Sequence, residues 1–134
     1  MLSAQEKGRA WFRRLLVVSV CLITVGSILP YGSAVSTLSV VSVGLDKILH
    51  VMGFACVILF TFGAGKELSF WYGMRAAMYV LMFGAGIECV QYLIPYRTFN
   101  PLDIMANLCG IVFGVLLWIF GRKPWRSVVS VPTW

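Results

Sequence analysis

The sequence contains little charge and very few acidic residues. Only 12% of its 134 residues are charged, only five of them are Asp or Glu, and 60% are hydrophobic. A water-soluble domain is closer to one quarter charged and one half apolar. A single domain of this length has too little interior to bury so many apolar side chains. The composition therefore excludes an ordinary soluble domain and predicts that lipid surrounds much of the chain.

Motifs for metal binding and for nucleophilic catalysis are also missing. The chain has one histidine, no C-x-x-C pair, and neither a G-x-S-x-G nor an H-x-x-x-H pattern. Its four cysteines all lie in apolar runs, so we expect buried free thiols rather than disulfides or zinc ligands. They are Cys21, Cys56, Cys89 and Cys109. We therefore expect no cofactor and no dedicated metal site.

The excess of basic residues does not indicate a nucleic-acid-binding protein. The net charge is +6, but the Lys and Arg residues are scattered between apolar runs and form no stripe. Their distribution instead indicates how the chain is oriented in a membrane.

Four long apolar runs predict four transmembrane helices. They cover about residues 11–29, 47–64, 71–94 and 102–120. At ~1.5 Å of rise per residue, each can cross a hydrocarbon core of ~30 Å. We predict one all-α membrane domain over residues 1–134, folded as a four-helix bundle. The first run is expected to be a retained anchor rather than a cleaved signal peptide.

The positive-inside rule predicts the orientation of this bundle. Nine of the eleven Lys and Arg residues lie at or near the start of the first run, the turn between the second and third runs, or the end of the fourth. Only Lys47 and Arg97 lie on the other side. We therefore expect both termini to be cytoplasmic.

The predicted topology brings the unusual polar residues to the outer end of the bundle. The second run contributes Asp46, Lys47 and His50, the third Glu88, Gln91 and Arg97, and the fourth Asp103 and Asn107. A carboxyl group within a membrane span is energetically expensive, so Glu88 is expected to face the bundle interior.

Helical spacing places several of these residues on shared faces. Asp46 and His50 are four residues apart, as are Asp103 and Asn107. Gly110 and Gly114 continue the face of Asp103 and permit close helix approach, either within the bundle or in a homo-oligomer.

These residues also have purely structural interpretations. Asn100, Pro101 and Asp103 fit the N-cap, the first-turn proline and the third-position acid of a helix. Lys47 could extend to the lipid headgroups, and His50 could be a core histidine with its hydrogen bonds satisfied. A structural ion-pair network therefore stands as an alternative to a ligand site.

Three segments together resemble the VanZ-like family of small bacterial integral membrane proteins. They are "DKILH" at Asp46–His50, "GIECVQYLIPYRTFNPLDIMANLCG" at Gly86–Gly110 and "SILP" at Ser27–Pro30. The resemblance spans about residues 11–120. It implies a multi-pass protein of the bacterial cytoplasmic (inner) membrane. Family members are linked to glycopeptide antibiotic resistance, a phenotype that does not carry over to this chain.

The positions that match the family pattern are the ligand-binding candidates. They are Asp46, Lys47, His50, Glu88, Gln91, Arg97, Asp103 and Asn107. The first hypothesis is that they bind an anionic, lipid-linked component of the cell envelope at the outer leaflet. Arg97 and Lys47 would hold its phosphate, and Gln91 and Asn107 would donate hydrogen bonds.

Two other functions remain open at this point. In a membrane enzyme acting on a lipid phosphate, His50 and the carboxylates would exchange protons or hold Mg²⁺. In a non-catalytic structural or interaction subunit, the same residues would only hold the helices together. A transporter is disfavoured because so few helices leave little room for alternating access. Membrane lipids are the expected partners in every case.

Overall fold

A computed structural model describes residues 3–29, 39–65, 69–97 and 100–128, with backbone only at 39–43 and 122–128. The described residues form four helices and no strand. The helices are α1 (Ala4–Ile28), α2 (Ser39–Ala64), α3 (Phe70–Tyr92) and α4 (Pro101–Val128). Each is long and apolar enough to cross a membrane. This confirms the predicted all-α, four-helix architecture, whereas the orientation of the termini stays a prediction.

The helices extend beyond the apolar runs that predicted them. α1 begins at Ala4 because Ser3 caps it: the Ser3 hydroxyl accepts from the Glu6 amide at 3.3 Å, and the Glu6 carboxylate accepts from the Ser3 amide at 2.8 Å. α2 likewise begins before its apolar run, and α4 continues past its own. Hydropathy marks the part of a helix that lipid can surround, whereas caps and backbone hydrogen bonds decide where the helix ends.

α2 is the central helix of the bundle. It packs most closely against α4, then against α1, and less extensively against α3. The buried core is built around four α2 side chains with partners from α3 and α4. These are Phe54, Val57, Ile58, Phe62, Ala76, Val80 and Ile111. Helices joined by short connections, here α2–α3 and α3–α4, usually pack against each other. Both pairs are in contact, but the closest pair, α2–α4, is not consecutive in the chain.

Two glycines explain why α4 lies so close to α2. Gly110 and Gly114 are both buried. A Cβ atom at Gly114 would lie 2.8 Å from the Ala55 carbonyl oxygen, and one at Gly110 would press on the Val51 backbone. The glycine face therefore packs within the chain, as small residues do between membrane helices. Because α2 covers this face, we do not propose a homo-oligomer through it.

Most other apolar side chains point out of the bundle. Ser27 is the only buried residue of α1. All four cysteines are free, as predicted, but the expectation that they are buried is wrong for three of them. Cys21, Cys89 and Cys109 lie on the outer surface, and Cys56 is partly buried. In a membrane protein, a cysteine in an apolar run can face either the protein core or the lipid. The apolar sequence context therefore does not show which of the two surrounds the thiol.

The α2–α4 contact can be tested with an alanine at Gly114. Its methyl group would force the two helices apart, so we expect Gly114→Ala to lower stability by about 1–3 kcal/mol. The measurement is a thermal unfolding midpoint in detergent micelles. Gly86→Ala is the matched control, since a Cβ atom there meets nothing within 4 Å. Equal midpoints for the two variants would contradict the proposed packing.

Candidate functional site

One end of the bundle collects the polar side chains of the transmembrane helices. α1 and α3 end there, and the N-terminal halves of α2 and α4 carry their polar residues there. The buried polar residues Glu88, Gln91, Asp103 and Asn107 all belong to this end. The structure divides the eight candidates into two adjoining groups. Asp46, Lys47, His50, Glu88, Asp103 and Asn107 form what we call the carboxylate–histidine cluster, while Gln91 and Arg97 contact the end of α1.

An ion pair connects α2 to α4 in the carboxylate–histidine cluster. The Lys47 Nζ atom lies 2.6 Å from the Asp103 Oδ1 atom, and the two side chains are 26% and 9% exposed. Asn100 caps α4, since its side-chain oxygen accepts from the Leu102 amide at 3.1 Å, whereas the Asp103 carboxylate is directed to Lys47. Lys47, which could have extended to the lipid headgroups, instead directs its ammonium group to Asp103. The pair fixes the polar turns of the two helices against each other.

The only histidine is held in one orientation. Its Nδ1 atom lies 2.8 Å from the Asn107 Oδ1 atom. An amide oxygen only accepts, so the Nδ1 atom is the donor, and in the neutral ring the Nε2 atom carries the lone pair. The ring stacks on Phe54 with an interplanar angle of 9°. The Nε2 atom lies 3.9 Å from the Asp46 Oδ1 atom, which is too far for a hydrogen bond.

Glu88 is the most unusual member of the cluster. It is 0% exposed, and neither of its carboxyl oxygens has a hydrogen-bond partner among the described residues. Its electrostatic neighbours are Asp103, His50 and Asp46, and the Asn100 backbone is a donor too poorly placed to make a hydrogen bond of regular geometry. The side chain thus faces the bundle interior. A buried polar group that lacks a partner costs about 1–3 kcal/mol or more, so this residue calls for a further explanation.

The second group of candidates binds the C-terminal carbonyls of α1. Such carbonyls lack partners within the helix and carry partial negative charge. Gln91 donates to the Ser27 oxygen at 2.9 Å, Tyr96 to that of Ile28 at 3.1 Å, and the Arg97 Nη2 atom to those of Gly26 and Leu29 at 3.2 and 3.1 Å. At least one nitrogen of Arg97 therefore serves α1. The sequence did not predict that Tyr96 and these carbonyl groups take part in the site. The only signal was the segment "SILP" at the end of the first apolar run.

A cavity of about 350 Å³ begins beside these polar groups and continues between α1 and α2. Asp46, His50, Gln91 and Arg97 line its polar end. The rest of the lining is mainly apolar and comes from Ser19, Leu22, Ile23, Leu49, Met52 and Cys56, among others. From Asp46 to Cys56 the cavity follows α2 for about 15 Å. Its shape and chemistry suit an elongated apolar chain that carries a polar group at one end.

The sequence model of the VanZ/LLP1 family matches residues 4–122, which include the membrane-spanning part of all four helices. The chain belongs to the VanZ/LLP1 family. This confirms the resemblance seen in the sequence. It also agrees with the four apolar helices in describing a multi-pass membrane protein. No curated protein and no solved structure matches the chain, so the roles of individual residues in this VanZ/LLP1 protein must be argued from its own geometry.

The Lys47–Asp103 ion pair can be measured with a double-mutant cycle. We expect Lys47→Met and Asp103→Asn each to lower the free energy of unfolding. The double variant should lose less than the sum of the two single losses. The coupling free energy should be about 1–3 kcal/mol, because either single change leaves a partly buried polar group unpaired. Denaturant unfolding in micelles provides the values. A cycle between Lys47→Met and Thr61→Val, a site near the opposite end of α2, is the control and should show additivity.

Proposed function

We propose that this VanZ/LLP1 protein binds an anionic, lipid-linked component of the cell envelope. The polar head would lie at the carboxylate–histidine cluster and the apolar chain in the cavity between α1 and α2. The observation that carries this proposal is the continuity of the cavity, which has charged groups at one end and apolar side chains along its length. A purely structural ion-pair network would require no such cavity.

The groups at the polar end suit a phosphate or pyrophosphate head. The Arg97 guanidinium lines the cavity, and Lys47 is partly exposed beside it in the cluster. Gln91 also lines this end. Charge-assisted hydrogen bonds from guanidinium and ammonium groups are the usual means of holding phosphate oxygens. These interactions support recognition of an anion rather than of a neutral lipid.

The apolar part of the cavity suits a chain that enters from the bilayer. α1 contributes one buried residue to the bundle, and its contacts with the rest of the protein concern α2 and, to a lesser extent, α3. A cavity bordered by such a peripheral helix is accessible to lipid from the side. Burying a chain there would add about 0.8 kcal/mol per methylene relative to water, although much less relative to the surrounding lipid. Affinity should therefore depend strongly on the head group.

We further propose that the site faces the outer leaflet of the bacterial cytoplasmic membrane, with both termini in the cytoplasm. The basic residues in the first half of α1 and in the last turns of α4 support this orientation through the positive-inside rule. A head group bound at the opposite end of the bundle would then belong to a lipid of the extracytoplasmic surface.

Lipid binding can be tested by filling the cavity. Ser19 lines it, whereas the adjacent Val18 is 53% exposed on the outer face of α1. We expect Ser19→Phe to weaken binding of a polyprenyl phosphate at least about tenfold, or about 1.4 kcal/mol. Val18→Phe, the matched control, should leave the affinity unchanged. Native mass spectrometry of the purified full chain in detergent gives both values.

Two further ligands identify which part of the lipid is recognised. Polyprenol of the same length should bind at least about tenfold more weakly, because it lacks the charge that Arg97 and Lys47 would hold. Inorganic phosphate should compete more weakly than the lipid, because it can make the head-group contacts but has no chain to concentrate it at the membrane. Equal binding of all lipids by the wild type and by Ser19→Phe would refute the proposed site.

The orientation can be tested with fusions to the C-terminus. A fused alkaline phosphatase should be inactive, and a fused green fluorescent protein should fluoresce, because both reporters would lie in the cytoplasm. The opposite pair of results would place the site at the inner leaflet. The same reporters fused after Gly65, between α2 and α3, serve as an internal control, since this connection is predicted to lie on the same side as the C-terminus.

A further inference from the structure

Three side chains of the carboxylate–histidine cluster have the geometry of a metal site. Each of Asp46, His50 and Asp103 offers one ligand atom, and these three atoms lie within 4.8 Å of one another. Asp46 and His50 belong to α2, and Asp103 belongs to α4. Metal–ligand bonds of about 2.0–2.2 Å place two ligands of one ion about 3–4 Å apart. The 3.9 Å between the His50 Nε2 and Asp46 Oδ1 atoms falls in this range, although it is too long for a hydrogen bond.

The histidine is prepared for ligation. Its Nδ1 atom donates to Asn107, which leaves the Nε2 lone pair directed to the Asp46 side. A metal-binding histidine typically donates its other ring nitrogen to an oxygen in this way, and that hydrogen bond fixes both its tautomer and its orientation. The stacking of the ring on Phe54 further restricts its rotation.

Glu88 gives independent support. It is fully buried, and its oxygens lack a hydrogen-bond partner in the described part of the chain. Its electrostatic neighbours include all three potential ligands. A carboxyl group in such a place is explained if a cation lies among these four side chains, because buried charges are normally paired or bound to metals.

The charges of the cluster are consistent with a bound cation. Asp46, Glu88 and Asp103 are three acids, and Lys47 pairs with only one of them. Lys47 approaches Asp103 from the more exposed side, since it is 26% exposed, whereas Glu88 is fully buried. Arg97 directs its Nη2 atom to the carbonyls of α1. The three acids of the cluster therefore outnumber its one ammonium group, and two of them, Glu88 and Asp103, are buried.

We propose that Asp46, His50 and Asp103, with Glu88 beside them, bind a divalent cation. Carboxylate oxygens with one imidazole form a mixed ligand set, which suits ions such as Mn²⁺. The sequence suggested these residues as Mg²⁺ ligands only within the enzyme hypothesis, because the ligands come from different helices and no motif spacing joins them. The metal site depends only on the cluster geometry. The additional idea that the ion contacts the phosphate of a bound lipid rests on the proposed function.

The test uses the full chain in detergent and Mn²⁺ as the probe. We expect one saturable class of site by equilibrium dialysis, and nitrogen modulation from His50 in the electron spin echo of the bound ion. His50→Gln should abolish this nitrogen signal. Asp103→Asn and Glu88→Gln should each weaken binding at least about tenfold. Glu6→Gln, which alters a carboxylate of the first turn of α1 outside the cluster, should have no effect.

The result that would overturn the proposal is an absence of saturable Mn²⁺ binding, or binding without nitrogen modulation in the wild-type protein. The latter measurement needs no variant, so it decides the question even if the substitutions impair folding. Ser19→Phe should bind Mn²⁺ as the wild type does. If Mn²⁺ binds but polyprenyl phosphate does not, the proposed function fails and the metal site stands.

Discussion

The cost of removing charged and polar groups from water is the constraint on which this structure depends. In a protein surrounded by lipid, such a group must find its partners within the bundle, because no solvent is available to it. The eight polar candidates meet this requirement unequally. Lys47 and Asp103 pair with each other, His50 pairs with Asn107, and Gln91 and Arg97 serve α1. Asp46 is partly exposed and lies 3.9 Å from His50. Glu88 is the buried exception among the candidates, and it is for this reason the strongest indication of a ligand.

The same constraint explains how α1 is attached. Only Ser27 of this helix is buried. Leu16, Val20 and Ile23 pack against the core, but apolar contact gives little preference between lipid and protein when both are equally apolar. Its position is instead determined at its C-terminal turn, where the carbonyl groups of residues 26–29 accept hydrogen bonds from Gln91, Tyr96 and Arg97. Along the rest of α1, some side chains pack against the core and others border the cavity rather than close it. The polar end of the protein thus both holds the helix and defines the mouth of the site.

Much of the fold could be predicted from the sequence, for identifiable reasons. The four helices follow from the lengths of the apolar runs. Because successive helices cross the membrane in opposite directions, the polar residues of α2, α3 and α4 were expected at the same end of the bundle. The α2–α4 contact was less accessible. The Gly110–Gly114 face predicted a close neighbour but did not say which one, since a second copy of the chain would satisfy the same pattern. The outward cysteines and the ends of α1 and α4 were not predictable from hydropathy, because lipid and protein interior select the same side chains.

The candidate site shows where sequence reasoning ends. Spacing along a helix relates Asp46 to His50, and Asp103 to Asn107, but it gives no distance between the two helices. Only the packed bundle shows that the amide of Asn107 orients the ring of His50 and that Lys47 reaches Asp103. The phosphate-binding role assigned to Arg97 from its chemistry must also be shared with the carbonyls of α1. A phosphate near three carboxylates would meet repulsion from most of them. Compensation by Lys47 alone is insufficient, and a divalent cation at the cluster would resolve this conflict by attracting the acids and the anionic head together.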